Sequence, residues 1–486
     1  MTDIFFGSLI SGKIFRIILA LCTLVFFISL IHRDIQTDEN WLGEQSYWFL
    51  QEGQVKLKSI PFILNWSEEF LVYHKGIIWI GAVTILVFGW SVYSLKIITL
   101  VFFLVSVYII LLLLRKYDTA VRFMALLLLI TVPLMFLRSF EFRPEVFVMS
   151  FGLASYFFIS KYFQFQSVKF LILSATLAAL AFLCHLNGVI FCVSGFLILV
   201  FRSQFKNALV FGIICAPIAS VYFWPLIYYN NLGEWWNNLR NWPSHSFSSQ
   251  VDQGVWGFIL KLITEHKRFF WGPEVIGISV LFLLSLITRL KYLWKNHSLI
   301  VLYLTINIVA LALLGSHKAS RYLVYHLPFM AVIISLALTS INKGKNLLVK
   351  YVFSAAILLE LSFFFFQAYD TFEKKRNHSL IHRELSEHIE KNSSVIAPWN
   401  FIYNEIDNYD IYNFKTYEYL QEQRDEPFTA LEILEDLNER QVDYLILNRI
   451  MKEERRNWFK GWDIPQNTFF KEVFRTNEYL ILKRNG

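Results

Sequence analysis

Long apolar runs recur from one end of the chain to the other, and they limit its fold more than any other feature. Such runs lie near 14–31, 119–137, 207–229 and 351–368. Each approaches the length of about 20 residues that a helix needs to cross a bilayer. Charged residues make up 17% of the 486 residues, below the roughly 25% usual in soluble domains. We predict an all-α polytopic membrane protein with about 11–13 transmembrane helices.

Basic residues between the apolar runs predict the orientation of the chain. Lys13 and Arg16 precede the first run and place the N-terminus in the cytoplasm, by the positive-inside rule. Residues 32–75 then face outward. The two apolar runs within 76–114 do not fit, because two complete crossings would bring Arg115 to the outer side. Either one of these runs is not a full span, or the charge rule fails locally.

Composition also excludes several functional classes. Cytoplasmic loops and contact with anionic membrane lipid explain the net charge of +7, and no basic soluble face indicates nucleic-acid binding. The four cysteines lie in or beside apolar runs without a CxxC pair, which argues against a disulfide framework or a thiolate metal site. The first apolar run lacks a small-residue cleavage site, so we interpret it as a retained span.

The composition changes near residue 370, where charges become dense and apolar runs shorten. We predict a transmembrane domain over 1–369, with outer loops at 32–75 and 230–272, and a soluble outer-face α/β domain over 370–486. In the second domain, helices are expected at 373–392 and 429–440, and strands at 394–397, 443–447 and 473–483.

The acidic pair Asp38–Glu39 in the first outer loop is the main candidate for catalysis. An aromatic-rich amphipathic segment follows it, which places the pair at the membrane edge, where a lipid-linked substrate presents its head group. A carboxylate there is suited to act as a general base on an acceptor hydroxyl. A solvated loop end would also explain the pair.

Cations on the outer side are candidates for binding phosphate. Lys75 begins an outward-facing run, although a lysine at this depth is also typical of a membrane anchor. Arginine binds phosphate through two parallel hydrogen bonds and lysine as a point charge. The predicted donor-phosphate ligands are Lys75, His317, Lys318, Arg321 and Tyr322.

Other polar residues on the same side have two interpretations each. Glu145 is a second candidate catalytic acid, but the dipole at a helix start following Pro144 also explains it. The tryptophans of the 230–272 loop are typical of the membrane interface and also of sugar stacking. Residues assigned as acceptor or sugar contacts are His74, Arg143, His185, Trp235 and Trp236.

Together these motifs resemble the GT-C class of membrane glycosyltransferases that use polyprenyl-phosphate sugars. The similarity is to bacterial relatives of protein O-mannosyltransferases and of the lipid A aminoarabinose transferase. It rests on the order of short motifs: Asp38–Glu39, Tyr73–His74–Lys75, Arg143–Pro144–Glu145 and Arg321–Tyr322–Leu323. Two departures are that Gly76–Ile77 replace a pair of prolines and that His74 stands where the family often has an acid.

The resemblance implies an inverting transfer on the outer face of a bacterial plasma membrane. Asp38 would deprotonate the hydroxyl acceptor with support from Glu39, while Lys75, Arg321 and Tyr322 hold the donor phosphate. The partners are then a lipid-linked sugar donor, a hydroxyl acceptor and membrane lipid. No cofactor is required, and a divalent metal stays open, with His74 as a weak candidate ligand. Two alternatives are a flippase of a lipid-linked glycan and a non-catalytic partner in envelope assembly.

Overall fold

A computed structural model of the chain describes residues 13–242, 254–314, 318–342, 346–374, 376–449, 458–459, 464–465 and 468–485. Most of the first 373 residues are helical. The α-helices of this part are Lys13–Ser29, Thr37–Glu52, Lys75–Phe88, Val92–Leu113, Thr119–Thr131, Pro133–Arg138, Pro144–Phe165, Val168–Cys184, Val189–Phe201, Phe205–Ser220, Trp224–Tyr228, Leu232–Arg240, Gly254–Ile263, His266–Phe270, Ile276–Leu314, Leu327–Asn342 and Leu347–Glu373.

Apolar helices long enough to cross a membrane confirm the predicted membrane class. Five such helices, and six shorter apolar ones, lie in the described residues. The helix Ile276–Leu314 is bent at His297, whose backbone is not helical. The first helix packs against the helix Val92–Leu113, where Phe26 stacks on Phe103 with ring centroids 5.5 Å apart.

The helix Lys75–Phe88 explains the irregular charge pattern of residues 76–114. It has 14 residues, so it is about 21 Å long, shorter than a hydrocarbon core of about 30 Å. Both of its ends lie beside the C-terminal domain. Trp90, just after the helix, donates a hydrogen bond to the carbonyl of Ile402 at 3.2 Å, and His74, just before it, lines the same cavity as Trp399. Lys96 then donates to the carbonyl of Asp34 at 2.7 Å. The first of the two apolar runs is therefore not a crossing, and Arg115 follows a single crossing by Val92–Leu113.

The helix Thr37–Glu52, called the loop helix from here on, forms most of the outer loop 32–75. Gln36 and Glu39 make a reciprocal capping box at its start, and Gly53 ends it with a left-handed backbone at φ 71°. Such a backbone is natural for glycine. The loop helix packs along Lys75–Phe88 where Gly81 removes any side chain from the contact.

The C-terminal part contains a five-stranded mixed sheet and four helices. The strands are β1 Ser394–Ile396, β2 Asp410–Tyr412, β3 Tyr444–Asn448, β4 Phe470–Arg475 and β5 Tyr479–Arg484, and the helices are His378–Ser386, Ile402–Glu405, Lys415–Glu422 and Ala430–Glu439. The strand order is β2-β1-β3-β5-β4. β1 pairs in parallel with β2 and β3, and β5 pairs antiparallel with β3 and β4. The predicted α/β domain is confirmed. The helix expected at 373–392 is shorter, because Asn377 caps a new start at His378.

The C-terminal domain rests on the loop helix through buried polar contacts. The Tyr403 hydroxyl donates to the carbonyl of Glu39 at 2.6 Å, and the Trp399 indole donates to the Glu44 carboxylate at 3.3 Å. The backbone N–H of Asn413 donates to the carbonyl of Ser59, which follows the loop helix, at 2.8 Å. These bonds fix the second domain over one end of the helical bundle.

Substitution of Gly81 by alanine tests the close contact beneath the loop helix. A Cβ at this position would lie 2.7 Å from the Phe142 ring and closer still to the Ser46 side chain, so the two helices must separate. We expect Gly81→Ala to destabilise the protein by about 1–3 kcal/mol, measured as a lower thermal unfolding midpoint in detergent. Gly212→Ala is the matched control, because its Cβ would meet Phe196 at an ordinary 3.8 Å. Equal midpoints for the two variants would contradict this packing.

Candidate active site

A cavity of about 650 Å³ lies between one end of the helical bundle and the C-terminal domain. It is the place where most of the predicted site residues meet. Those that line it are Asp38, His74, Arg143, Glu145, His185, Arg321 and Tyr322. They come from segments up to about 280 residues apart in the sequence, so only the packing of the bundle assembles them.

Three charged side chains form the floor of this cavity. Arg143 donates to Glu145 through Nη2 at 2.9 Å and Nε at 3.2 Å, and its Nη1 donates to the Asp38 carboxylate. Arg143 and Glu145 are buried, whereas the Asp38 side chain is 45% exposed. Burial alone would lower the pKa of Arg143, but Glu145 and Asp38 raise it well above its ordinary value. The cluster therefore holds an accessible carboxylate beside a permanent cation.

Local sequence explains how this cluster forms. Arg143 has an extended backbone as the residue preceding a proline, and Pro144 occupies the first turn of the helix Pro144–Phe165. Glu145 then lies in that first turn, where the helix dipole favours an anion. Asp38 lies in the first turn of the loop helix, so both carboxylates sit at helix N-termini and meet at Arg143.

Two histidines and a second arginine form one wall. The rings of His74 and His185 are in contact, with centroids 4.2 Å apart and ring planes tilted by 38°. Burial lowers the pKa of His74 to about 4 and that of His185 well below its usual range, so both rings are neutral near pH 7. Arg321 lies 3.9 Å from Glu145, and its Nε has no hydrogen-bond partner among the described residues. Arg321 is thus a cation at the cavity with unused donor capacity.

Aromatic side chains and the C-terminal domain complete the opposite wall and the roof. Trp41 of the loop helix contacts Trp242 and Trp399, with centroids 5.9 and 5.7 Å apart. The helix Lys415–Glu422 adds Lys415, Tyr419 and Glu422 to the lining. The roof offers flat apolar faces together with one cation and one carboxylate, which are the groups that commonly contact sugar rings and their hydroxyls.

Several residues predicted for the site lie elsewhere. Glu39 is completely buried and forms an ion pair with Lys96 at 3.2 Å; it also accepts from the amide of Phe142 at 2.9 Å. Burial raises its pKa, an effect that Lys96 opposes. Lys75 is buried against the ring of Tyr73 at 4.0 Å. Neither residue lines the cavity, because each is held by partners on the far side of its helix.

The described cationic residues of the 316–322 segment lie at two different places in the structure. Lys318 donates to the Glu265 carboxylate at 2.8 Å and to the carbonyl of Ala312 at 2.9 Å, so its charge is neutralised away from the cavity. Arg321 and Tyr322 line the cavity instead. His317 lies outside the described residues.

The predicted tryptophans also lie away from the cavity. Trp235 is buried against Tyr222 and Leu226, and Trp236 is 59% exposed. Trp242, which belongs to the same predicted loop, lines the cavity beside the other aromatic residues. The amphipathic spacing of the helix Leu232–Arg240 turns Trp235 inward, whereas Trp242 follows that helix and reaches the cavity.

No cluster of metal ligands appears in the part of the chain that the structure describes: no three or more His, Cys, Asp or Glu side chains are arranged to hold an ion. His74 has His185 as its neighbour, but the ring of His185 accepts a hydrogen bond from the amide of Asn187 at 3.0 Å.

Trp399, Lys415, Tyr419 and Glu422 line the cavity from the C-terminal domain, and sequence reasoning missed all four. The sequence signal available for them is an amphipathic helix rich in Tyr and Glu, KTYEYLQE, and that pattern by itself predicts only packing against the sheet.

Comparisons with known proteins agree with this architecture. Residues 76–229 match the family model described as dolichyl-phosphate-mannose-protein mannosyltransferase. No curated protein sequence gives a significant match. Among solved structures, ArnT from Cupriavidus metallidurans in the apo state is similar over 96% of this chain and 97% of its own, with a TM-score of 0.61 and 10% identity.

Two further structures share the fold. ArnT from Cupriavidus metallidurans bound to undecaprenyl phosphate gives a TM-score of 0.58 at 11% identity, over 97% of this chain and 98% of its own. The archaeal oligosaccharyltransferase AglB from Archaeoglobus fulgidus, in complex with an inhibitory peptide and a dolichol-phosphate, gives 0.55 at 11% identity, over 96% of this chain and 74% of its own.

The chain has a GT-C fold like that of the ArnT structures. Residues 76–229 are the part of it that matches the protein-mannosyltransferase family model. The resemblance stated from the sequence is confirmed.

The lowered pKa of His74 predicts a pH dependence of stability. Its pKa is about 4 when folded and about 6.5 in an unfolded chain. Between these values the unfolded state takes up a proton that the folded state does not. Stability is therefore complete above about pH 6.5 and falls by up to about 3 kcal/mol as the pH drops toward 4. We expect the thermal unfolding midpoint of His74→Gln to vary less with pH in this window than that of the wild type. His388→Gln, at an exposed histidine of the C-terminal domain, should keep the wild-type slope.

Proposed function

We propose that the protein is an inverting glycosyltransferase that moves a sugar from a polyprenyl-phosphate donor to a hydroxyl acceptor. The observation that carries this proposal is the single cavity that unites Asp38 with Arg143, Glu145 and Arg321 beneath an aromatic roof. A flippase needs no accessible carboxylate fixed beside cations. A non-catalytic partner needs no cavity lined by these charged groups between its domains.

In the proposed reaction, the acceptor oxygen attacks the anomeric carbon of the donor, and the bond from that carbon to the phosphate oxygen breaks. Asp38 takes the proton of the attacking hydroxyl as a general base. Arg143 orients the Asp38 carboxylate, and the buried Glu145 fixes Arg143. The polyprenyl phosphate leaves with the electron pair, and direct displacement inverts the anomeric centre.

The developing charge on the leaving phosphate requires a nearby cation. Arg321 meets this requirement, because it lines the cavity and its Nε makes no hydrogen bond among the described residues. Tyr322 lies beneath it, with the guanidinium 5.2 Å from the ring centroid. We therefore assign the donor phosphate to Arg321 and Tyr322, and leave Lys75 and Lys318 as structural cations.

The acceptor is proposed to enter beneath the C-terminal domain. Trp41, Trp242 and Trp399 present ring faces on that side, and Lys415 and Glu422 present charges. This arrangement suits a glycan or a glycolipid head group. We place the cavity on the outer face of a bacterial plasma membrane, since the basic clusters near Arg115 and Lys161 lie at the opposite end of the bundle.

Replacement of the proposed base tests the reaction. With full-length protein, a radiolabelled polyprenyl-phosphate hexose and a mixed envelope extract, we expect Asp38→Asn to lower the transfer rate by about 10²–10⁴-fold. Glu52→Gln is the matched control, because Glu52 is an exposed carboxylate at the other end of the loop helix that pairs with Lys56. An Asp38→Asn rate equal to that of the control would remove Asp38 as the base.

A separate measurement addresses the donor site without knowledge of the sugar. We expect Arg321→Ala to weaken binding of undecaprenyl phosphate at least about tenfold, because a hydrogen-bonded cation is lost. Binding is followed by tryptophan fluorescence in detergent. Lys318→Ala should leave this affinity unchanged and lower the unfolding midpoint instead, since it leaves Glu265 buried beside one fewer cation. The reverse pattern would move the phosphate site to Lys318.

A further inference from the structure

A second cavity, of about 430 Å³, lies at the end of the bundle away from Asp38. The helix Pro144–Phe165 connects the two ends: Glu145 lines the first cavity and Lys161 lines the second. Sixteen residues of helix separate them by about 24 Å. The second cavity is therefore no part of the proposed active site.

Cations surround the mouth of this cavity. Arg115, Lys116 and Lys161 line it, and no acidic side chain does so among the described residues. Arg115 and Lys116 are exposed, and neither forms an ion pair within the part of the chain that the structure describes. The nearest polar contact of Lys161 is Gln164, at 3.4 Å. The cavity thus carries an uncompensated positive charge.

Hydrogen-bonding groups lie behind these cations. The Tyr117 hydroxyl and Nδ1 of His297 are 3.2 Å apart. Nε2 of His297 is buried and has no hydrogen-bond partner among the described residues. His297 occupies the bend of the helix Ile276–Leu314, with φ −138°, and this bend directs its ring to the cavity lining. A buried nitrogen without a partner beside three cations favours an anionic ligand with several acceptor oxygens.

The deeper wall of the cavity is apolar. It consists of Tyr156, Phe157, Ile300, Val332 and Leu336. Basic residues at this end of a membrane protein are commonly explained as anchors whose ammonium groups reach the interface. Anchoring requires neither a cavity nor a neutral hydrogen-bonding pair behind the cations. A charged mouth above an apolar interior matches a lipid, with its head group at the edge and its chains beside the helices.

We propose that this cavity binds the phosphate head group of an anionic membrane lipid in the leaflet opposite the active site. Arg115, Lys116 and Lys161 contact the phosphate oxygens, and Tyr117 and His297 supply hydrogen bonds beneath them. The bound lipid ties the turn that follows Val92–Leu113 to the helices Pro144–Phe165 and Ile276–Leu314. The site is independent of the transfer reaction.

Native mass spectrometry of the full-length protein tests this site. The protein is released from micelles doped with either phosphatidylglycerol or phosphatidylcholine, and the retained lipid is counted. We expect retention of one phosphatidylglycerol in preference to phosphatidylcholine. Lys116→Gln combined with Lys161→Gln should weaken that binding about thirtyfold, since each cation near a membrane surface contributes about fivefold. The charge-preserving pair Lys116→Arg and Lys161→Arg should retain the lipid.

The matched control removes two cations from the same end of the bundle but outside the cavity, Lys169→Gln with Lys206→Gln. Both lysines are exposed, so this pair should bind as the wild type does. If both glutamine pairs lost the same amount of phosphatidylglycerol binding, general surface charge would explain the binding, and the proposed site would be overturned. Retention of phosphatidylcholine equal to that of phosphatidylglycerol would overturn it as well. Displacement of the lipid by inorganic phosphate would assign the cavity to a soluble anion instead.

Discussion

The contacts of the Glu39 carboxylate hold together the part of the structure that surrounds the proposed active site. It accepts the amide of Gln36 at the start of the loop helix, the amide of Phe142 before the Arg143–Glu145 segment, and an ion pair from Lys96 of the helix Val92–Leu113. A completely buried carboxylate is costly unless such partners satisfy it. One side chain thus joins three segments of the chain. Its contacts set the positions of Asp38 and Arg143 relative to each other.

The same region shows how a charged cavity can exist at the edge of an apolar bundle. Three buried carboxylates there each have a cation within reach: Glu145 has Arg143, Glu39 has Lys96, and Glu265 has Arg268 and Lys318. Asp38 and Arg321 are the two charged side chains of the cavity floor and wall with substantial exposure, at 45% and 37%. We infer that the buried pairs keep the architecture while these two remain for the substrates.

Much of the fold and part of the site were predictable from the sequence. The apolar runs, the change of composition near residue 370 and the cap at Thr429 are local properties, and the structure has a helical bundle, a C-terminal sheet and a capping box at Thr429. Asp38, Arg143, Glu145 and Arg321 also reach one cavity. The helix Lys75–Phe88 was ambiguous, since hydropathy does not distinguish a helix that crosses a membrane from one that lies along its edge. Lys318 and Trp235 were assigned to the site on residue type, which does not reveal their actual neighbours, Glu265 and Tyr222.

By itself the sequence determined that this chain has membrane-length apolar segments, an acid-bearing loop after the first of them and a C-terminal region of different composition, because hydrophobic length and charge are encoded residue by residue. Tertiary structure alone decided which of two adjacent acids faces the cavity. Neighbouring residues on a helix point about 100° apart, so Asp38 turns toward Arg143 and the cavity while Glu39 turns toward Lys96. Only the packing of the loop helix between the bundle and the C-terminal domain fixes that rotation, and the same packing brings Trp399 and Tyr419 over the acid.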